Sequence, residues 1–337
     1  MIPLWKFVPA EIAHKIAPLG LSFYSAICGG ETPQWRSFDW KGIHFPNRLG
    51  LAGGMDKNAE HLLAWQKLGA GFLEVGTITP QPQKSNPGKV LARDWNAKIL
   101  WNKMGFPNFG AEDIYFNIRH QKNDIRIPLF VNIGKNRTTT QENALNDYQM
   151  LVHRFAPVAS VFVVNVSSPN TQGLRDLQSK EELSKLILGI RQVLDFQNCK
   201  TPILVKLSPD LSEDQLKDAI EAALKAGAEG VTLTNTTLYR PQGCSFPKEG
   251  GLSGNALRDL SMRSLETTAK ELGGNRKSHL LISVGGVMTS QDVEDRLNLG
   301  ADLVQVYSVL VFEGPRFFRQ TAAHFANQNA IQTRRLQ

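Results

Sequence analysis

The chain has 337 residues, 42% of them hydrophobic, which suffices for one large globular unit or two ordinary ones. Its 38 Lys and Arg outnumber 31 Asp and Glu, a net charge of +7, but no block of five like charges occurs; this excludes a nucleic-acid tract and points to an anionic small molecule or an acidic lipid surface. Cys28, Cys199 and Cys244 form no CxxC pair and no apolar run reaches the ~18 residues of a membrane-crossing helix, so iron–sulfur, zinc and membrane-spanning classes fall away and a cytosolic chain is expected.

Residues 1–30 differ in character from the rest of the chain. Ile12, Ile16, Leu19, Phe23 and Ile27 recur at helical spacing, with His14, Lys15, Ser22 and Ser25 between them. Pro9 and Pro18 each suit a first helical turn, which predicts two short helices. Such a stripe more often packs on a protein body than not; the other reading is an interfacial patch that enters a membrane surface. Residues 31–46 read as a linker, opened by GGETP, and entry strands.

From residue 47 a repeat begins. Arg48 to Ala52, Phe72 to Gly76, Leu129 to Ile133, Val161 to Val166, Ile203 to Leu207, Gly230 to Thr234, Leu280 to Val284 and Leu303 to Tyr307 are short, β-branched-rich runs of the kind buried on both faces. Helical patterns at 58–70, 180–194, 212–228 and 289–301 separate them, and Ser212 with Gln215 and Thr289 with Asp292 resemble capping boxes. Eight β-then-α units predict an α/β fold, a (β/α)8 TIM barrel over 47–325, with a frayed tail at 326–337. An open doubly wound sheet would have fewer strands and a GxGxxG motif that this chain lacks.

In such a barrel, chemistry belongs at the carboxyl ends of the strands. The polar residues collect there: GGMDKN after the first strand, Thr77 after the second, Asn102 in the loop beyond it, NIGKN with Asn132 and Lys135 after the third, and Asn165, Ser168 and Asn170 after the fourth. Lys206 ends the fifth, Thr234, Asn235 and Thr236 the sixth, Gly285 and Gly286 the seventh, and Tyr307 and Ser308 the eighth. The SVGG stretch after the seventh strand and the YS pair after the eighth suit a phosphate, hence a phosphorylated cofactor. Asn102, Asn165, Asn170 and Asn235 donate and accept at once, as a planar amide-like ring requires. Lys57 can pair with a carboxylate on that ring, and Lys206 with an electron-rich ring such as reduced flavin. Ser168 has no His–Asp partner, and no metal-ligand set occurs, so hydrolase and metal readings fall away.

Taken together, LGLAGGMDKN, EVGTITPQPQ, NKMGFPN, NIGKN, NVSSPNTQGLR, VKLSPD, TNTT, GGLSG, VGGV and VQVYS resemble, over nearly the whole chain, the class 2, quinone-dependent dihydroorotate dehydrogenases, flavin enzymes of pyrimidine (UMP) biosynthesis. By position, the resemblance puts the general base on Ser168 and the orotate contacts on Lys57, Asn102, Lys103, Met104, Gly105, Phe106, Asn165, Asn170, Asn235 and Thr236. It puts one FMN per chain on Gly53, Gly54, Met55, Asp56, Lys57, Thr77, Asn132, Asn165, Lys206, Thr234, Gly254, Gly286, Tyr307 and Ser308. In that family the base takes a proton from C5 of dihydroorotate while a hydride passes from C6 to flavin N5. Serine is a weak base, so Thr171 and neighbouring hydroxyls are expected to relay the proton. Class 1 relatives would carry cysteine in place of Ser168.

The resemblance also implies that residues 1–30 form a helical hood that touches the membrane and admits a quinone along Arg93 and Tyr307. A monomer held peripherally on the cytoplasmic face of the inner membrane is expected. The first hood helix is shortened to IPLWKF, and Pro18 interrupts the second. Five basic residues against Asp94 between Lys84 and Lys103 can attract anionic lipid if that loop lies beside the hood. Two alternatives remain open: a flavin barrel for another pyrimidine, which would carry cysteine at Ser168 and no hood, and a non-flavin phosphate-binding barrel, which leaves the four asparagines and two lysines unexplained.

Overall fold

The computed structural model describes residues 4–273 and 278–335. The eight β-branched runs have no polar face to show to water, and they close on one another. β3 (Leu49–Asp56), β4 (Leu73–Ile78), β7 (Leu129–Ile133), β8 (Val161–Asn165), β9 (Ile203–Leu207), β10 (Gly230–Leu233), β12 (Leu280–Val284) and β13 (Leu303–Val306) form a closed barrel in that order. Every neighbouring pair is parallel, β13 returning to β3 with Gln305 opposite Gly50. The TIM barrel expected from the sequence is therefore present, with each of the eight strands within a few residues of its expected place.

Before the barrel, β1 (Phe38–Trp40) and β2 (Ile43–Phe45) pair as an antiparallel hairpin. It closes the amino end of the barrel: Trp40 and Phe45 pack with Phe72, Phe130, Val161, Val163, Leu204, Leu280, Ile282 and Leu303 in a cluster of their own. The rings of Phe72 and Phe130 lie 5.1 Å apart, and Phe45 meets both edge-on. Strand periodicity of two turns the next inward residue of each strand toward the opposite end. Above Phe72, Phe130, Leu204 and Leu303 therefore come Glu74, Asn132, Lys206 and Gln305, all buried.

Helices α2 (Leu62–Lys67), α3 (Ala111–Gln121), α4 (Ala144–Phe155), α5 (Lys180–Phe196), α6 (Glu213–Lys225), α7 (Arg258–Leu272) and α8 (Ser290–Leu299) supply the outer layer, and their apolar faces make the larger core with the strands. Both expected capping boxes form: Ser212 accepts from Gln215 N–H, Thr289 from Asp292 N–H, and each partner side chain returns the bond. Two short helices were expected at the amino end, but one continuous helix, α1 (Ala10–Cys28), carries Pro18 inside it. Pro9 occupies its N-cap, and the missing N–H of Pro18 costs one backbone bond that the flanking turns outlast. At the other end, helix runs from Phe317 to Arg335, so residues read as tail continue an element.

A second sheet that the sequence did not announce lies over the barrel mouth. β5 (Leu91–Asp94), β6 (Ile99–Asn102) and β11 (Gly251–Gly254) pair antiparallel in the order β11-β6-β5. α1 rests beside it: Val90 N–H donates to Glu11 Oε1 at 3.4 Å, and the Arg93 guanidinium donates to the Val8 carbonyl.

Candidate active site

The carboxyl ends of the barrel strands, the β5–β6–β11 sheet and the Asn102–Pro107 loop enclose a cavity of about 990 Å³ including its mouth. Its floor is the polar layer above the aromatic plug. Glu74 Oε1 accepts from Asn132 Nδ2 at 2.6 Å and from Lys206 Nζ at 3.0 Å, while Glu74 Oε2 accepts from Gln305 Nε2 at 2.6 Å. Glu74 is wholly buried, and Lys206 Nζ is its ion-pair partner inside the barrel. Gly53 passes so close that a Cβ there would lie 2.3 Å from Glu74 Oε1. The strand at Gly53 thus leaves a bare backbone facing the cavity.

On one wall the asparagines meet. Asn165 Nδ2 donates to Thr77 Oγ1 at 2.8 Å, and Asn165 Oδ1 accepts from Ser167 Oγ at 3.0 Å and Asn235 Nδ2 at 3.3 Å. Asn170 Nδ2 donates to Asn102 Oδ1 at 3.0 Å, tying the β8 loop to the mouth sheet. Several acceptors of the lining are buried without a partner, Asn132 Oδ1, Asn170 Oδ1 and Gln305 Oε1, and so is Thr171 Oγ1, next to Asn170 in the chain but outside the lining. Buried groups of this kind cost free energy unless a ligand satisfies them, so this wall is built for donors that the chain does not supply. Ser168 Oγ accepts the backbone N–H of Asn170 at 3.2 Å and is 5% exposed.

Lys57 also lines the cavity, and among the described residues it has no ion pair. Burial pulls its pKa down to about 8, with the Asp56 charge opposing part of that fall. It is a cation that an incoming anion would stabilise. Burial raises Tyr307, at the mouth, to about 12. Partial desolvation of the His14 ring in α1, and then the Lys57 charge, lower its pKa to about 4, so it is neutral at physiological pH.

Most of the expected site residues come together on this cavity: Gly53, Gly54, Lys57, Thr77, Asn102, Met104, Gly105, Phe106, Asn132, Asn165, Ser168, Asn170, Lys206, Thr234, Asn235, Thr236, Gly286, Tyr307 and Ser308 all line it. Others stand outside. The Asp56 carboxylate turns away to accept the N–H groups of Glu60 and His61, both at 2.9 Å, and Met55 packs on the core. Lys103 pairs with Glu249 at 3.7 Å, and Lys135 donates to the Thr139 carbonyl. Gly254 leaves the lining to its neighbour Ser253, whose hydroxyl accepts from Ser308 Oγ at 3.0 Å. Arg93 ties the mouth sheet to the start of the hood rather than lining the cavity. Glu74 and Gln305 were missed, although a charged residue inside a wholly buried run, LEVGTI, was a signal for the first.

The outer face of α1 stays bare. Leu19 is 78% exposed and Phe23 70%, with Ile12, Ile16 and Ile27 also open, while Leu21, Tyr24 and Ser25 face the body. The packing of the stripe on the body, favoured by its periodicity alone, does not occur. Among the described residues no helix is long and apolar enough to cross a membrane.

Fold and site define a (β/α)8 barrel with an enclosed polar cavity on the carboxyl face of its strands, lined by side-chain amides, an unpaired Lys57 and bare backbone at Gly53 and Gly286. A family model described as dihydroorotate dehydrogenase matches residues 37–327. The chain is 44% identical over 283 residues to a "Dihydroorotate dehydrogenase (quinone)" of Thermus thermophilus, spanning 83% of this chain and 79% of that one. To the protein of the same description from Marinomonas sp. it is 37% identical over 334 residues, spanning 95% and 94%. The crystal structure of DHODH in complex with ferulenol from Eimeria tenella superposes with a TM-score of 0.85 at 32% identity, covering 96% of this chain and 93% of that chain. The chain belongs to the dihydroorotate dehydrogenase family and, within it, to the quinone-dependent class.

Proposed function

We propose that this chain oxidises (S)-dihydroorotate to orotate in pyrimidine biosynthesis and hands the electrons, through one bound FMN, to a membrane quinone. The observation that carries the reading is the cavity itself: an unpaired, half-buried Lys57, an amide wall with unsatisfied acceptors, and a Lys206–Glu74 floor in one enclosure. These residues fit both groups. Lys57 would hold the substrate carboxylate, and Asn102, Asn165, Asn170, Asn235 and Thr236 its ring amides. Gly53, Gly54, Thr77, Asn132, Lys206, Thr234, Gly286, Tyr307 and Ser308 would hold the flavin. When bound, the flavin supplies the hydride acceptor for C6 of dihydroorotate.

Ser168 takes the proton from C5. Its oxygen already accepts one backbone N–H, which favours the negative charge left there as its own hydroxyl proton passes to the relay and so readies it to receive the C5 proton. Thr171, 4% exposed and with its hydroxyl unpartnered, is the group through which that proton moves on. The wall of asparagines excludes water and fixes the ring plane, so proton and hydride leave from opposite sides.

The bare face of α1, with Phe7 beside it, supports peripheral contact with a bilayer, α1 lying at the interface. The quinone ring would enter beneath α1 toward Tyr307 in the cavity lining, with Arg93 holding the hood to the mouth sheet. The test is stopped-flow reduction of the purified flavoprotein by dihydroorotate, then reoxidation by a soluble quinone or by fumarate. Bleaching and then recovery with quinone alone is expected. Recovery with fumarate instead would overturn the quinone route, and a flavin that never bleaches would overturn the substrate.

A further inference from the structure

Arg296 is among the largest wholly buried side chains, and no step of the proposed reaction uses it. It reaches inward from α8 and donates to Ser283 Oγ at 2.6 Å, Ser261 Oγ at 2.9 Å and the Gly285 carbonyl at 2.5 Å. Among the described residues no carboxylate comes within ion-pair distance of it. Asp292, in the turn before, is taken up by the N–H groups of Met288 and Thr289 and by Arg258 at 2.5 Å, and Asp295 acts only from farther off. Burial lowers its pKa to about 10, so it remains a cation at neutral pH. A buried cation without a direct counter-ion is costly, and an anion arriving nearby would offset that cost.

The neighbouring geometry shows where that anion would be. Gly285 O also accepts from Ser261 Oγ at 2.7 Å, so two donors fix the carbonyl from the α7–α8 side. The Gly285–Gly286 peptide is trans, and in a trans peptide the N–H of Gly286 points opposite to that carbonyl, away from Arg296. Gly286 and Val287 line the cavity, and among the described residues neither N–H has a protein acceptor. Gly286 has φ of +69° and its Cβ would fall 2.4 Å from Arg258 Cα, so the loop is held in a shape that only glycine permits.

We infer that Arg296 is a positioning residue for the cofactor phosphate: it fixes the Gly285–Gly286 peptide so that the Gly286 N–H meets the phosphate, and it is the buried cation that this dianion offsets. The inference rests on the reading that FMN binds with its phosphate at the loop after β12. Arg296 does not touch the phosphate; it works through the peptide and through its field.

The test is titration of the apo-protein with FMN and with riboflavin, which lacks the phosphate, monitored by flavin fluorescence. The wild-type chain should prefer FMN strongly. Arg296→Met should lower FMN affinity about 10- to 100-fold, through the loosened Gly285–Gly286 peptide and the lost buried charge, and leave riboflavin affinity nearly unchanged. Arg296→Lys, which keeps the charge, should recover part of the preference. If Arg296→Met does not fold, Ser261→Ala decides, with a smaller loss for FMN and none for riboflavin. Wild type without preference for FMN would overturn the phosphate placement and the inference with it. Preference in wild type that persists in the folded variants would leave the placement standing and overturn the role of Arg296 alone.

Discussion

Lys206 Nζ lies 3.0 Å from Glu74 Oε1, the two side chains meeting inside the barrel from strands three positions apart around it. Because both are buried, removing one strands the other. Glu74→Gln keeps the shape and leaves Lys206 uncompensated, at a cost of ~3–5 kcal/mol to the folded state. Urea unfolding of the apo-protein measures this, and the double variant Glu74→Gln with Lys206→Met should regain most of the loss without regaining flavin. Equal stability of Glu74→Gln and wild type would refute the coupling.

Lys57 sets an alkaline limit on substrate binding. Its pKa in the folded protein, about 8, lies below the ordinary lysine value of 10.5, because burial disfavours the charged form. The free enzyme therefore loses this cation as pH rises through about 8, and kcat/KM for dihydroorotate should fall about tenfold per pH unit above it. Bound carboxylate favours the charged form, so the matching limb in kcat lies at higher pH. A flat kcat/KM between pH 7 and 10 would rule Lys57 out as the anion site.

Ser168→Ala should slow flavin reduction by about 10²- to 10⁴-fold, the usual share of a positioned base, while orotate binding changes little. Thr171→Val should slow it less, since it removes only the next carrier. Rapid-mixing spectra separate the two steps; a wild-type reduction rate in Ser168→Ala excludes serine as the base.

Ile16→Glu with Phe23→Glu changes two side chains that are 51% and 70% exposed, so folding should hold. Vesicle flotation and reoxidation by a long-tailed quinone should both fall, whereas reduction by dihydroorotate should not. A parallel loss in flavin reduction would show that α1 serves the barrel and not the bilayer.

Much of this architecture was legible in the residues. Leu129–Ile133, Ile203–Leu207 and Leu280–Val284 were bounded to the residue, because an unbroken apolar run flanked by turn formers has one reading in a parallel sheet. The asparagines and lysines fell on one face by strand order alone. The mouth sheet was not legible, because Leu91–Asp94 and Ile99–Asn102 are short, half-exposed strands whose third partner, Gly251–Gly254, lies some 150 residues on. Pro18 misled for a different reason: a propensity rule weighs one lost bond, whereas α1 is held by Leu21, Tyr24 and Ser25 against the body beyond Pro18 and by Glu11 to the mouth sheet before it. Asp56 looked like a ligand because of its place in GGMDKN, yet its carboxylate bonds the backbone at Glu60 and His61.

The barrel interior places Phe72 and Glu74, Phe130 and Asn132, Leu204 and Lys206, and Leu303 and Gln305 two residues apart on four strands. The pleat thereby acts as a ruler shared by the molecule's foundation and its chemistry. A single residue inserted ahead of the pair in any of these strands would turn both members outward together, removing a plug ring and a site side chain at one stroke. Loops around the mouth face no such constraint, so evolutionary change in length should be confined to them, and the distance from the sealed end to the reacting ring should be the same in every working member of the fold.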